Sequence, residues 1–211
     1  MKTIYSAIYN GGCFPFEGLA EEVSFATSPE QLKDFNSALV LWGGADIDPQ
    51  VYGHKKGTRT YSSVNRDNLE IDLVNQAIKM GIPIIGVCRG AQLLCAMAGG
   101  YLIQHTTGHA GTGHTIETSK GEIIHVNSIH HQMMYIPERV DHEVLAWSCE
   151  PKSSCYLYQN DLDHVPPEKE LEFVYFPKIK GYAIQWHPEA MSANSRATKY
   201  ILEELYEHGT T

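Results

Sequence analysis

Two short stretches of this 211-residue chain hold the residue types that can cleave an amide: "GVCRG" at 86–90 and "WHPE" at 186–189. A thiol attacks a carbonyl carbon when a base takes its proton, and a carboxylate on the far side of that base fixes its tautomer. Cys88, His187 and Glu189 supply those three groups. In G-x-C-x-G the cysteine sits on a tight strand-to-helix turn, with Gly86 allowing the helix to pack close and Gly90 relieving crowding inside it. Such a turn projects Cys88 at the carboxyl ends of the strands and toward the positive end of a helix, which favours thiolate. Each residue also has a plain structural reading: Cys88 as a small core side chain, His187 as a satisfied polar core residue, and Glu189 as a first-turn acid.

The elements that must hold these groups follow from the apolar patterning. "KTIYSAIY" (2–9), "SALVLWGG" (37–44) and "IPIIGVC" (82–88) read as strands ending in glycine or a small residue. Between the last two, Leu69, Leu73, Ala77 and Met80 recur at helical spacing and Gly81 supplies a stop. Strand, helix, strand is a parallel crossover unit, and "GAQLLCAMAGG" (90–100) continues from Cys88 as a second helix. In the second half, 121–127, 142–149, 155–160, 171–177 and 180–188 read as strands, several of them alternating and therefore antiparallel. Asn194 or Ser195 caps a closing helix whose Ala197, Ile201, Leu202 and Leu205 face inward. The expected architecture is a three-layer α/β sandwich with a central, mostly parallel, partly mixed sheet, in one domain spanning 1–211.

Composition narrows the function classes. The formal charge is −9, from 25 acidic and 16 basic residues, which disfavours a nucleic-acid partner because backbone phosphates are met by clustered Lys and Arg. No window approaches the roughly 20 apolar residues of a membrane span, and the first residues lack a signal-peptide core, so a cytoplasmic protein with no membrane partner is expected. Five cysteines, odd in number and without a CxxC pair, argue against a disulfide framework. The histidines at 105, 109, 114, 125, 130, 131 and 142 show neither HExxH nor a coherent Cys/His spacing, which disfavours zinc.

GVCRGAQ together with QWHPE resembles the class I glutamine amidotransferase superfamily. "LWGGADIDPQVYG" (41–53), the stretch 65–104 and "VNSIHHQ" (126–132) are similar to its gamma-glutamyl-gamma-aminobutyrate hydrolase branch, peptidase C26. The resemblance implies a flavodoxin-like fold, a Cys88, His187, Glu189 triad, and hydrolysis of a small-molecule gamma-glutamyl amide through a thioester. The backbone N–H of Arg89, next after the nucleophile, is one oxyanion donor by geometry. The resemblance gives Gly44 as the second donor, Gln92 as a holder of the amino-acid end of the glutamyl group, and Asn127, Ser128 and His130 as pocket residues, with His131 bracing the loop. It also implies loop-shaping roles for Asp46 and Asp48, although a D-x-D pattern can bind metal. A thiolate mechanism needs no metal and no cofactor, and none is expected.

Arg66, Asp67 and Glu70 open the crossover helix, where ion pairing or capping is expected of them. The chain departs from the branch pattern around 106–125 and between 155 and the WHPE stretch, and "PEKELEFVYF" replaces the usual Asp-Gly, with Glu170 to Phe173 able to occupy the same strand. The leaving amine is therefore left open. Two other readings stand beside the hydrolase: a glutaminase subunit feeding ammonia to a separate synthetase partner, and a non-catalytic binding protein. Assembly, including a homodimer, is equally open.

Overall fold

The computed structural model describes residues 1–7, 12–111 and 113–208. The first half contributes Thr3–Ala7 (β1), Glu22–Ala26 (β2), Ser37–Leu41 (β3), the helix Val64–Met80 (α1), Ile84–Val87 (β4) and the helix Arg89–Met97 (α2). Tyr101–Ile103 (β5) and His105–Thr106 (β6) are short. His114–Thr118 (β7), Ile123–Val126 (β8), Met133–Tyr135 (β9), Glu143–Ser148 (β10), Tyr156–Leu157 (β11), Leu171–Phe176 (β12) and Gly181–Ile184 (β13) follow, and Arg196–Glu207 (α3) closes the order.

Nine strands form one sheet in the order β2-β1-β3-β4-β13-β12-β10-β7-β8. The run from β2 to β13 is parallel and the run from β13 to β8 antiparallel. The antiparallel share is larger than "mostly parallel" suggests. Two of its antiparallel pairs follow from connections too short for a crossover, Ser119–Glu122 between β7 and β8 and Pro177–Lys180 between β12 and β13. The strand expected at 155–160 shrinks to β11, which pairs with β6 outside the main sheet, and β5 pairs with β9 in a second small ribbon. Residues 8 and 9 of the first expected strand, and 209 of the closing stretch, lie outside the described residues.

Alternation along the central strands divides two cores. Leu39, Leu41, Ile84 and Ala183 face α1 and α2, where Leu73, Val74, Ala77, Leu93 and Leu94 are buried against them. Val40, Ile85, Val87, Tyr182 and Ile184 face α3, packing on Ala197, Tyr200, Ile201 and Leu205. That is a sheet between two helical layers. The α3 N-terminus is capped by Ser195, whose side chain accepts from the Thr198 N–H at 3.1 Å. No helix among the described residues is long and apolar enough to cross a membrane.

Candidate active site

Strand β4 runs straight into α2 through Cys88, which holds φ 51° and ψ −103°. An L-residue resists that conformation, and the surroundings fix it: the Cys88 N–H donates to Ile184 O of β13 at 2.7 Å, and Cys88 O accepts from the Gln92 N–H at 3.1 Å. The flanking glycines make the turn close. A Cβ on Gly86 would lie 2.5 Å from the Gly90 carbonyl group, and one on Gly90 would lie 2.5 Å from Leu41 O of β3. Gly90 therefore serves the approach of α2 to β3 rather than relieving crowding within the helix. Cys88, 7% exposed, opens on a cavity of about 200 Å³ at the carboxyl ends of the parallel strands.

His187 lies just beyond β13, the strand beside β4, so adjacency in the sheet brings it to Cys88. Its Nδ1 pairs with Glu189 Oε1 at 2.6 Å, which leaves Nε2 for the sulfur. Burial disfavours a charged ring, but hydrogen bonding and charge from Cys88 and Glu189 outweigh it and push His187 up to about 10. The ring therefore holds its proton at neutral pH. Asn127 fixes the backbone of the same residue: Nδ2 donates to His187 O and Oδ1 accepts from the His187 N–H, both at 2.8 Å.

Gly43 and Gly44 border the site from the end of β3. A Cβ on Gly43 would meet His187 Cε1 at 2.7 Å and Cys88 Cβ at 3.6 Å, and Gly44 holds φ 138° under the Arg66 guanidinium. Arg66 Nη2 donates to Trp42 O and Gly43 O, each at 3.0 Å, and its Nε donates to Glu70 Oε1 at 2.9 Å. Glu70 and Asp67 both pair with Arg89, whose side chain is buried at the start of α2. Arg66, Asp67 and Glu70 are thus an ion-paired buttress, joining the two helices to the loop that carries Gly44. Asp46 and Asp48 are loop-shaping residues: Asp46 Oδ2 accepts from the Tyr61 N–H at 2.8 Å, and Asp48 Oδ2 accepts from Ser62 Oγ at 2.8 Å.

Gln92 and His130 line the cavity with Cys88, Gly44 and Gln132. Gln92 Nε2 donates to Gln132 O at 3.1 Å, and His131, also in the wall, reaches Asp46 Oδ1 at 3.1 Å and so braces the loop. The two other residues expected in the pocket lie elsewhere. Asn127 commits its amide to the His187 backbone, and Ser128 is buried with its hydroxyl donating to His109 O at 2.6 Å. The sequence reading also missed a buried group behind the wall: His109, His114 and His130 gather around Glu172, with Glu170 adjoining. These residues come from separated segments, and no local spacing announces them.

The fold is that of glutamine amidotransferases. A glutamine amidotransferase of Thermotoga maritima superposes with TM-score 0.58 at 16% identity, covering 98% of this chain and 83% of that one. PurLQS from the same organism gives TM-score 0.62 at 14% identity, with 98% of each chain covered. Residues 25–121 match the peptidase C26 family. Protein NtpR of Enterococcus hirae is 34% identical over 80% of this chain and 72% of its own length. A Mycobacterium tuberculosis protein named "Putative glutamine amidotransferase" is 31% identical over 79% of this chain, which spans only 54% of that relative. The chain belongs to the peptidase C26 family of the class I glutamine amidotransferase-like superfamily. A more distant match, 26% identical over 64% of this chain and 32% of the relative, is the carbamoyl phosphate synthase small chain of Helicobacter hepaticus.

Proposed function

We propose that the chain, acting as one domain, is a cysteine hydrolase that cleaves the gamma-glutamyl amide bond of a gamma-glutamyl amine, releasing glutamate and the amine. The observation that carries this reading is Cys88, fixed at a strained elbow and facing a protonated His187 whose other nitrogen is held by Glu189. The Cys88 sulfur adds to the side-chain carbonyl, and the oxyanion is met by the N–H groups of Arg89 and Gly44. His187 gives its proton to the departing nitrogen as the C–N bond breaks, leaving a thioester. Water then attacks with His187 taking its proton, and the C–S bond breaks with its electron pair leaving on the sulfur, releasing glutamate and returning His187 protonated beside Cys88. Gln92 holds the amino-acid end of the substrate, His130 packs in the pocket wall, and Asn127 acts by positioning His187.

The test is glutamate release by the purified protein, comparing glutamine with a panel of gamma-glutamyl amines and using Cys88→Ala as control. Turnover that depends on Cys88 and favours the conjugates supports the reading; no turnover of any conjugate by folded protein refutes it. The synthase small chain among the relatives favours a second reading, a glutaminase subunit serving a separate synthetase. That reading predicts weak activity on glutamine alone and marked activation in complex.

A further inference from the structure

The residues behind the pocket wall pose a hydrogen-bonding problem. His130 Nδ1 donates to Gln132 O at 2.9 Å, so in the neutral ring Nε2 carries the lone pair. That Nε2 has no hydrogen-bond partner among the described residues and lies 3.8 Å from Glu172 Oε1. Glu172 is itself an acceptor.

His109 faces the same carboxylate. Its Nε2 pairs with Glu170 Oε2 at 3.1 Å, and Glu170 also accepts from the Lys152 N–H and the Tyr156 hydroxyl, each at 2.8 Å. With Nε2 donating, the lone pair is on Nδ1, which lies 3.8 Å from the same Glu172 Oε1. The Ser128 hydroxyl lies 3.4 Å from that Nδ1, but its proton goes to His109 O at 2.6 Å. Three acceptor atoms thus converge, all within 4.8 Å of one another and all on buried residues. Acceptors facing acceptors at low exposure repel unless a cation lies between them.

We propose that His109 Nδ1, His130 Nε2 and Glu172 bind a divalent transition-metal ion of the zinc class, immediately behind the acyl pocket. The ligand chemistry fits, two imidazoles and a carboxylate, as does the outer shell: each ligating ring donates its other N–H, to Glu170 and to the Gln132 carbonyl. The His114 ring, 3.0 Å from Glu172 Oε1, orients the carboxylate. Glu172 Oε2 is buried without a partner among the described residues, and a chelating carboxylate would bring the donors to four. Tetrahedral zinc at about 2.0–2.1 Å places its ligands roughly 3.4 Å apart, against 3.8 Å from each imidazole nitrogen to Glu172 Oε1 and no more than 4.8 Å between any two. The ion ties the 128–132 segment, which forms the pocket wall, to β12 and to the segment preceding β7.

The experiment uses the full chain as Cys88→Ser, which removes the competing thiol of the triad. After chelator treatment, one equivalent of zinc sulfate or cobalt chloride is added and the protein is desalted. The expected result is one retained metal per chain, a melting temperature several degrees higher in zinc than in chelator, and cobalt bands of a tetrahedral site without a near-ultraviolet thiolate band. His130→Gln and Glu172→Gln, checked for folding by circular dichroism, should each weaken zinc binding by at least tenfold. Should both variants unfold, the cobalt spectrum of the Cys88→Ser protein decides. No retained metal with no thermal shift, a thiolate band from another cysteine, or folded variants that bind zinc as tightly as their parent would overturn the proposal.

Discussion

Gly43→Ala isolates the geometry of the thiol and imidazole from the stability of the fold. The added methyl would lie 2.7 Å from His187 Cε1, whereas ordinary contact begins at 3.4 Å. The ring must therefore retreat by about 0.7 Å, the difference of those two distances, and it retreats away from Cys88 because Gly43 borders both residues. Misplacing a catalytic group by ~1 Å costs on the order of a hundredfold, so kcat/KM should fall roughly 10- to 100-fold, or about 1.4–2.7 kcal/mol of transition-state stabilisation. The fold should survive, since the obstructed atom ends a side chain. Glutamate release reports the catalytic loss, iodoacetamide alkylation of Cys88 reports it without any substrate, and a melting curve reports integrity. A folded Gly43→Ala protein within threefold of wild type in both rates would refute the reasoning.

Other perturbations test separate parts of the structure. Because His187 is held above its ordinary 6.5, its contribution to stability is fully present below that pH and is lost as pH rises through about 10. Denaturation midpoints measured across this window should therefore fall less steeply with pH in His187→Gln than in wild type. Glu189→Gln removes one of the groups that raise His187, so the alkaline limb of activity should move to lower pH in a pH–rate profile. Glu70→Ala strips the buried Arg89 of one of its two carboxylates and should destabilise by about 3–5 kcal/mol in urea titration, with the Gly44 loop loosened through Arg66. Ser195→Ala removes the α3 cap and should lower stability by about 1 kcal/mol in a urea titration.

The parallel half of the fold was legible because its signals are local: apolar runs ending at glycine, a helical repeat at Leu69, Leu73 and Ala77, and a cysteine between glycines. The shortest strands, β5, β6 and β9, were not, since two or three residues carry no period and such strands exist only through their partners. The edge strand β2 escaped for a different reason: its Val23 and Phe25 are exposed, so apolar side chains do not mark an inward face there. At the site, motif spacing identified the residues now found around Cys88, while the work of Asn127 and Ser128 depended on which way a turn directs each side chain. The His109, His130 and Glu172 group lay further from reach, because its members meet only when β12 and the segments before β7 and after β8 have folded together.

One stretch of six residues, 127–132, contains both the amide that anchors His187 and the side chains that wall the cavity. The position of the base and the shape of the pocket are consequently not independent variables. A ligand that favours one placement of this stretch also favours one placement of His187, and a change at His187 alters ligand affinity by the same free energy. Discrimination among substrates can then be expressed in the rate of the chemical step, even for parts of the substrate that never touch the sulfur.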